Sequence, residues 1–399
     1  MTEQRFSTSN RWLLPEGIDE LLPPRAAELE GLRRQLLDLF ASWGYELIMP
    51  PFIEFLDSLL TGTGHDLDLQ TFKITDQLSG RLMGIRADMT PQAARIDAHQ
   101  LRREEPARLC YIGTVLRTRP DSSGGSRDPV QVGAELFGHG GIESDIEIIS
   151  LMLEVLRSAG IAAPHLDIGH VGIFRSLVRQ AQLSPAAESD LFDALHRKAR
   201  AEIDELLAAV QVPAQVRAML AVLPDLHGGV EVLAEAEERL RQANGEVQAA
   251  LASLRGIAAG IQCRFPDLPL HFDLAELRGY RYHTGAVFAA FAPGYGRELA
   301  RGGRYDEIGR VFGGSRPATG FSADLKALAT LGLREQTEPA GIFVNWSDDP
   351  GLIAEVARLR HSGERVVWAL PGQVGDARAM GCNRRLVQSS DNTWQVVPA

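Results

Sequence analysis

Two segments decide the fold: residues 109–117 (LCYIGTVLR) and residues 130–137 (VQVGAELF), each of which predicts one β-strand. Period-two alternation in the second strand separates an apolar face from a face that carries Gln131, Gly133 and Glu135. Two polar groups beside a glycine predict a notch floored by bare backbone, where a small ligand can approach closely. The alternative is an ordinary hairpin with one solvated face.

A second group of ligand-type side chains lies upstream, in residues 84–91 (GIRADMTP). Arg86, Asp88 and Thr90 occupy alternate positions there. Such a set suits an amino acid, because a carboxylate binds the α-ammonium and an arginine binds the α-carboxylate. Arg117 ends the first strand and is predicted to complete the notch. The alternative is an exposed turn followed by a helix cap.

Two downstream segments, residues 277–285 (LRGYRYHTG) and 301–306 (RGGRYD), place arginines beside glycines. On pattern alone, solvated loop arginines are somewhat favoured over a binding site. His165 and His170 lie five residues apart in a predicted strand and therefore point to opposite faces. No metal site is predicted.

The composition is that of an ordinary globular protein. The chain has 399 residues, of which 45% are hydrophobic and 23% charged, enough for two or three domains. Three distant cysteines without a C-x-x-C motif argue against disulfides and cysteine zinc sites, which favours a reduced, cytoplasmic protein. No apolar run approaches the ~20 residues of a membrane helix. With 41 basic and 52 acidic residues, the net charge of −11 counts against a broad nucleic-acid-binding surface.

Helical periodicity marks the flanks of these strands. Residues 24–43 predict a helix, residues 45–49 a strand, and residues 165–170 another strand. A further helix is predicted to begin at Ser144, because Ser144 and Glu147 match a capping box.

Residues 184–260 differ in composition from the rest of the chain, because they are rich in Ala, Glu, Leu and Arg. A seven-residue recurrence there predicts an amphipathic helix or a helical hairpin. A helical insertion packed on its own domain is favoured over a partner-binding coiled coil. The positions that recur every seven residues are Leu233, Leu240, Val247 and Leu254.

After a linker near residues 334–339, strand and helix patterns predict a small α/β module.

In this order, the motifs resemble those of the histidyl-tRNA synthetase family over about residues 10–330. Residues 15–23 resemble its N-terminal signature, and the first helix, first strand and Pro51 resemble class II motif 1, which builds a dimer interface. The resemblance implies an α+β fold with a class II synthetase-like antiparallel sheet flanked by helices. It implies a domain of residues 1–333 with a helical insertion at about 184–260, then a C-terminal module of residues 340–399. The other matching segments are residues 111–117 and 131–135 (motif 2), 278–285 (the histidine-specific segment), and 302–306 and 317–321 (the approach to motif 3).

The same resemblance implies a histidine-binding pocket. Glu135 is placed to accept an imidazole N–H, and Asp88 with Gln131 to hold the ammonium. His283 stands where the family has a second tyrosine, and Arg281 where it has an aspartate, so Tyr282 or His283 takes over part of the imidazole contact. The implied pocket residues are Asp88, Thr90, Arg117, Gln131, Glu135, Arg278, Tyr282 and His283.

Three elements of the family's ATP site are replaced. The glutamate of motif 2 is Arg119, the adenine-stacking phenylalanine is missing from residues 127–130, and the ATP-binding arginine of motif 3 is Ala327. An alanine cannot replace a guanidinium by a small shift of geometry. Histidine adenylation is therefore predicted to be absent or very weak, with no catalytic residue, cofactor or metal.

A kept amino-acid pocket and a lost ATP site resemble the family of ATP phosphoribosyltransferase regulatory subunits. That resemblance implies a non-catalytic subunit required for the first step of histidine biosynthesis, which binds histidine for feedback regulation. It also implies a short-form catalytic partner and a homodimeric core within a hetero-oligomer. The acidic residues 347–350 (SDDP) and the charge of −11 predict that tRNA is not a partner.

Two alternatives stay open at the level of sequence. One is a divergent histidyl-tRNA synthetase that activates histidine with ATP, for which Arg119 and Ala327 are the discriminating residues. The other is a paralogue with a different ligand, such as a transferase that modifies a protein or a sensor of uncharged tRNA.

Overall fold

The computed structural model describes residues 12–61, 65–120, 125–277, 279–280, 282–309, 314–332 and 341–399. Two compact units divide the chain, Met1–Leu333 and Arg334–Ala399. The linker predicted near residues 334–339 lies outside the described residues, as do Arg278 and Arg281.

The first unit is built on a nine-stranded sheet in its described part, in the order β1-β5-β6-β12-β11-β10-β7-β9-β8. The six central strands, β5 to β7 in this order, are antiparallel to one another, as predicted. Parallel pairs near the two edges, β1 with β5 and β7 with β9, make the whole sheet mixed. The strands are β1 (Glu46–Leu47), β2 (Ile53–Phe55), β3 (Phe72–Thr75), β4 (Leu82–Ile85), β5 (Ala107–Thr114), β6 (Val130–Phe137), β7 (His165–His170), β8 (His227–Gly228), β9 (Leu270–Asp273), β10 (Ala286–Phe291), β11 (Ala300–Arg304) and β12 (Ala318–Asp324).

Helices cover this sheet and supply much of its core. The predicted first helix is confirmed as α1, whose Leu32, Leu36 and Phe40 recur at helical spacing and are fully buried. The helices are α1 (Arg25–Ser42), α2 (Leu56–Leu60), α3 (His65–Gln70), α4 (Thr90–Arg95), α5 (Ile142–Ser158), α6 (Val171–Ala181), α7 (Pro185–His196), α8 (Arg200–Ala209), α9 (Ala214–Val222), α10 (Val232–Arg239), α11 (Gly245–Arg264) and α12 (Leu325–Leu331). A π-helical turn, Ile96–Leu101, extends α4.

The start of α5 differs from the prediction. The helix begins at Ile142 with Gly141 as N-cap, so the predicted capping box at Ser144 is wrong. The Ser144 hydroxyl lies inside the helix and donates to the carbonyl of Gly141, while it accepts a hydrogen bond from Arg304. A buried guanidinium therefore uses the hydroxyl that the sequence pattern assigned to capping.

The helical segment of residues 184–260 is more broken than a single helix or hairpin. Its described residues include α7 to α10, the short strand β8 and most of α11, and the heptad pattern crosses the turn between α10 and α11. Asn244 caps α11 with its side chain, which accepts from the Val247 N–H at 3.2 Å. All four heptad residues are buried within their own unit, which explains the periodicity without a coiled-coil partner.

A separate three-stranded sheet, β2-β4-β3, was not predicted from the sequence. One of its faces carries apolar side chains that remain largely solvent-exposed, including Ile53, Phe55 and Ile74. The opposite face packs on α2 through Gly84, where an added Cβ would lie 2.7 Å from the Leu59 side chain.

The second unit has a four-stranded sheet in the order β14-β13-β15-β16 and one helix, α13. Three predicted strands and the helix are confirmed, whereas β15 was not predicted. Charged residues obscure the strand pattern of β15, and Arg384 is neutralised by Glu364 at 2.7 Å. The elements are β13 (Ile342–Asn345), α13 (Pro350–His361), β14 (Val366–Ala369), β15 (Arg384–Gln388) and β16 (Trp394–Pro398).

Candidate functional site

The site is built from two cross-strand rows on one face of the large sheet. Directly opposed residues of neighbouring strands point to the same face, so the register brings distant parts of the sequence together. A cavity of about 230 Å³ lies over these rows. The first row runs Tyr111, Gly133, Ser322, Arg301, Ala289 and Asp167, and the second runs Leu109, Glu135, Gly320, Gly303 and Val287.

The eight residues of the implied pocket separate into three groups. Five of them line the 230 Å³ cavity: Asp88, Thr90, Glu135, Tyr282 and His283. Gln131 and Arg117 line a neighbouring cavity of about 570 Å³ instead. Arg278 lies outside the described residues.

Glu135 forms the buried end of the smaller cavity and is only 1% exposed. Its carboxyl group accepts hydrogen bonds from the Tyr111 hydroxyl, at 2.7 Å, and from the Tyr305 hydroxyl. Burial raises the pKa of Glu135 to about 8, against the opposing effect of the two tyrosine hydrogen bonds. Gly320 makes this arrangement possible, because a Cβ there would lie 1.5 Å from the Glu135 carboxylate.

Asp88 is held in place by hydrogen bonds from two directions. The Gln131 side-chain amide donates to Asp88 Oδ1 at 2.8 Å, and the Thr90 N–H donates to the same oxygen at 2.9 Å. Gln131 is itself oriented by the Met89 N–H, which donates to its Oε1 at 2.9 Å. Gln131 thus contributes to the smaller cavity by positioning Asp88, although it lines the larger one.

Two sequence-based interpretations of this region are wrong. Arg86 does not face the cavity, because it is buried and donates to the backbone carbonyls of Pro50 and Thr114, at 2.8 and 2.9 Å. The bare notch at Gly133 is filled, since an added Cβ there would lie 2.6 Å from the Tyr111 hydroxyl. The glycine therefore makes room for a tyrosine of the neighbouring strand.

Tyr282 and His283 form one wall of the cavity, with ring centroids 4.0 Å apart. His283 is 5% exposed, whereas Tyr282 keeps 42% of its surface exposed. The backbone at Tyr280 and His283 is held by Arg175, whose guanidinium donates hydrogen bonds to the carbonyls of both residues. Gly279, at φ +62°, leaves room for the imidazole ring of His283.

The larger cavity contains Ala327, the position at which the sequence departs from the synthetase's motif 3. Ala327 lines it beside Lys326, which forms an ion pair with Asp128 at 2.8 Å. Asp324 also lines it, and burial raises the pKa of that carboxyl group. Arg119 is exposed and is not among its lining residues. The side chains that would face a nucleotide include a neutralised lysine and a methyl group.

Several lining residues were not found by sequence reasoning. Tyr111 and Tyr305 belong to the recognised motifs, but no sequence pattern indicated that their hydroxyls donate hydrogen bonds to Glu135. Asp167, Glu276 and Arg301 also line the smaller cavity. The carboxyl group of Asp167 between Leu166 and Ile168 in the predicted strand was the available signal.

No group of three or more His, Cys, Asp or Glu side chains that could hold a metal ion occurs in the described part of the chain. Among the same residues, no helix has the length and apolar character needed to cross a membrane.

Comparison with known proteins decides the family. The histidyl-tRNA synthetase family model matches residues 17–328, and the model of the ATP phosphoribosyltransferase subunit HisZ C-terminal domain matches residues 339–397. The ATP phosphoribosyltransferase regulatory subunit of Alkalilimnicola ehrlichii is 64% identical over 400 residues, covering 100% of both chains. The chain belongs to the ATP phosphoribosyltransferase regulatory subunits. The family's Azotobacter vinelandii member is 58% identical over 395 residues, covering 98% of this chain and 99% of that one.

Solved structures agree with the predicted class II synthetase-like fold. A Bacillus halodurans protein described as an ATP phosphoribosyltransferase regulatory subunit/histidyl-tRNA synthetase has a TM-score of 0.81 at 28% identity, covering 93% of this chain and 96% of its own. Histidyl-tRNA synthetase from Nostoc sp. PCC 7120 has a TM-score of 0.78 at 18% identity, covering 97% of both chains, and shows the fold alone.

Membership of this family confirms the predicted role. The chain is a regulatory subunit that serves histidine biosynthesis and does not itself carry out catalysis. It therefore works with a catalytic subunit. Ala327 of the larger cavity agrees with this assignment, since a methyl group offers no charge to a phosphate.

The raised pKa of Glu135 predicts a pH-dependent contribution to stability. A carboxyl group whose folded pKa lies above its unfolded value of 4.5 stabilises the fold below pH 4.5 and loses that contribution as pH rises through about 8. The Glu135→Gln variant should therefore gain stability relative to wild type by up to about 1.4 kcal/mol per pH unit across this window. Urea unfolding of both proteins from pH 5 to 8.5 measures the difference, and parallel curves would contradict the assignment.

Proposed function

We propose that this chain binds histidine in the 230 Å³ cavity and thereby regulates a short-form ATP phosphoribosyltransferase catalytic subunit, on which it confers activity. The observation that supports the ligand is Glu135, a buried acceptor at the end of a small acidic cavity. An imidazole N–H that reaches Glu135 gains a hydrogen bond to an acceptor oxygen removed from water, which is stronger than the same bond at the surface.

The opposite end of the ligand fits Asp88. Its carboxylate is fixed by Gln131 and the Thr90 N–H, and it provides negative charge for an α-ammonium. The Asp88 and Glu135 groups thus supply complementary partners for the two nitrogen-bearing ends of one amino acid. A cavity of about 230 Å³ accommodates a ligand of this size.

The larger cavity supports regulation rather than activation of histidine. Adenylation requires that phosphates and transition-state charge be neutralised by aligned cations. Lys326 is paired with Asp128, and Ala327 offers no charge at the position where the resemblance implies an ATP-binding arginine, although Arg117, Arg297 and Arg301 also line this cavity. Histidine in the smaller cavity would then act as an effector, whose differential affinity for two states of the complex sets the degree of inhibition.

Reconstitution with the catalytic partner tests this function. Phosphoribosyl-ATP formation should require the mixture of the two proteins and should fall when histidine is added. The purified chain alone should fail histidine-dependent exchange of pyrophosphate into ATP. Robust exchange would instead identify a divergent synthetase, and full activity of the catalytic subunit without this chain would contradict a required role.

We also propose a homodimeric core formed through the exposed face of the β2-β4-β3 sheet. Register places Ile53, Phe55, Ile74, Met83 and Ile85 on one side of that sheet, and the first three remain 41%, 37% and 37% exposed. A contiguous apolar face of this kind favours association. Its occupant is a second copy of the chain, as implied by the neighbouring motif 1 resemblance.

A charge on this sheet face should separate the dimer. Ile74→Glu places an uncompensated carboxylate among apolar side chains, which is costly to desolvate. We expect sedimentation of the variant as monomer at concentrations where wild type is dimeric. Thr75→Glu, on the opposite face of the same strand, is the matched control and should stay dimeric. A dimeric Ile74→Glu protein would place the interface elsewhere.

Residues 1–333 with the insertion at 184–260, and residues 340–399, are proposed as the two domains of this subunit. A cytoplasmic location suits its biosynthetic role, and tRNA is not proposed as a partner. The acidic segment Ser347-Asp-Asp-Pro350 begins α13 of the second unit, where phosphates would be repelled.

A further inference from the structure

Arg301 occupies the boundary between the two cavities. It lies on β11, directly opposite Ser322 on one side and Ala289 on the other, and it lines both cavities. Its side chain is 46% exposed and forms an ion pair with Glu298 at 2.7 Å. A guanidinium so placed can reach a ligand in either cavity.

The smaller cavity has a marked charge imbalance around this arginine. Four carboxyl groups line it, from Asp88, Glu135, Asp167 and Glu276, and Arg301 is the one arginine or lysine among its described lining residues. An amino acid at neutral pH carries a carboxylate as well as an ammonium. Beside Asp88, Asp167 and Glu276, the carboxylate is repelled unless a cation faces it, and a guanidinium is the side chain best suited to bind it in a bidentate manner.

The spacing along β11 fits a single amino acid. Gly303 stands directly opposite Gly320, which in turn stands opposite Glu135. Arg301 is two residues from Gly303 on the same strand, a separation of about 7 Å at the usual rise per residue. A ligand whose imidazole contacts Glu135 therefore extends its other end towards Arg301, at the mouth of the larger cavity.

We propose that Arg301 binds the α-carboxylate of the amino-acid effector and so selects the complete amino acid over its analogues that lack the carboxylate. This inference rests on the proposed binding of histidine in the same cavity. The guanidinium would hold the carboxylate at the boundary between the smaller and the larger cavity. It would also offset the negative charge of the carboxyl groups that line the smaller cavity.

Ligand analogues separate this role from a merely structural one. Histidine and histamine share the imidazole and the ammonium, and only histidine has the carboxylate. In calorimetric titrations of the full chain, Arg301→Ala should weaken histidine binding by about 10- to 100-fold, the loss expected for a charge-assisted hydrogen bond. Histamine binding should be unchanged or tighter, and Arg301→Lys should give an intermediate loss for histidine. Arg297→Ala, which alters an arginine that lines the larger cavity alone, is the matched control and should bind both ligands as wild type does.

The outcomes distinguish the two proposals. If wild type binds neither ligand, the proposed histidine site is wrong and the role of Arg301 is wrong with it. If wild type binds histidine but Arg301→Ala weakens both ligands equally, or weakens neither, histidine binding stands and the carboxylate assignment to Arg301 is overturned.

Discussion

Replacement of Glu135 by alanine is expected to raise the histidine concentration needed for inhibition tenfold or more, while the complex still forms phosphoribosyl-ATP. The variant removes the buried acceptor for the imidazole N–H and leaves the hydroxyls of Tyr111 and Tyr305 without their shared partner. Loss of one hydrogen bond to a charged group weakens binding by about 1.5–3 kcal/mol, which is tenfold or more in affinity. The measurement is the histidine concentration that halves the rate of the reconstituted complex.

A second variant distinguishes a loss of histidine binding from a loss of folding. Glu135→Gln keeps the shape and one acceptor oxygen, so it should fold as wild type and bind histidine with intermediate affinity. Asp19→Asn alters a carboxylate that lines the larger cavity alone, and it should leave inhibition by histidine as in wild type. If Glu135→Ala were inhibited at the same histidine concentration as wild type, the proposed pocket would be wrong.

Removal of the Arg304 side chain should give the largest loss of stability among single substitutions near the site. Its guanidinium is 9% exposed and donates to Asp145, which is 2% exposed, at 2.9 Å. It also donates to the Ser144 hydroxyl and to the carbonyls of His139 and Gly141. Loss of one partner of a buried ion pair costs about 3–5 kcal/mol, because the other charge stays buried without compensation.

The free energy of unfolding in urea measures this effect in the first unit. Arg304→Ala should lose about 3–5 kcal/mol, and Arg304→Lys should recover part of it, since lysine keeps the charge but not the forked geometry. Arg241→Ala is the matched control, because its pair with Glu238 is 63% and 70% exposed and should contribute about 0–1 kcal/mol. Equal losses for Arg304→Ala and Arg241→Ala would show that the buried network is not stabilising.

The sequence was most informative where a pattern is local. Alternation in residues 130–137 and helical spacing in residues 25–42 correspond to β6 and α1, because the apolar side chains of both elements pack in the same core. The loss of ATP contacts was also readable, since Ala327 lacks a guanidinium in any conformation. Family membership followed from the order of the motifs and is confirmed by the comparisons.

The predictions for two side chains were wrong because residues distant in sequence use their hydrogen-bonding groups. Ser144 matched a capping box, but the buried Arg304, 160 residues away in sequence, uses its hydroxyl. The spacing of Arg86 favoured a contact with a ligand carboxylate, but its guanidinium donates its hydrogen bonds to the carbonyls of Pro50 and Thr114. Local spacing carries no information on such partners, which depend on the tertiary fold.

By itself, the sequence determined the class of fold, the family and the absence of an arginine at position 327. Only the tertiary structure decided which side chains share a cavity, because cross-strand register brings Glu135 of β6 and Arg301 of β11 onto one face, and Tyr305, just after β11, lines the same cavity. The structure also decided the electrostatic state of Glu135, since burial raises its pKa to about 8. Residue type sets which charges are possible, and packing sets which of them face one another and how far from water they lie.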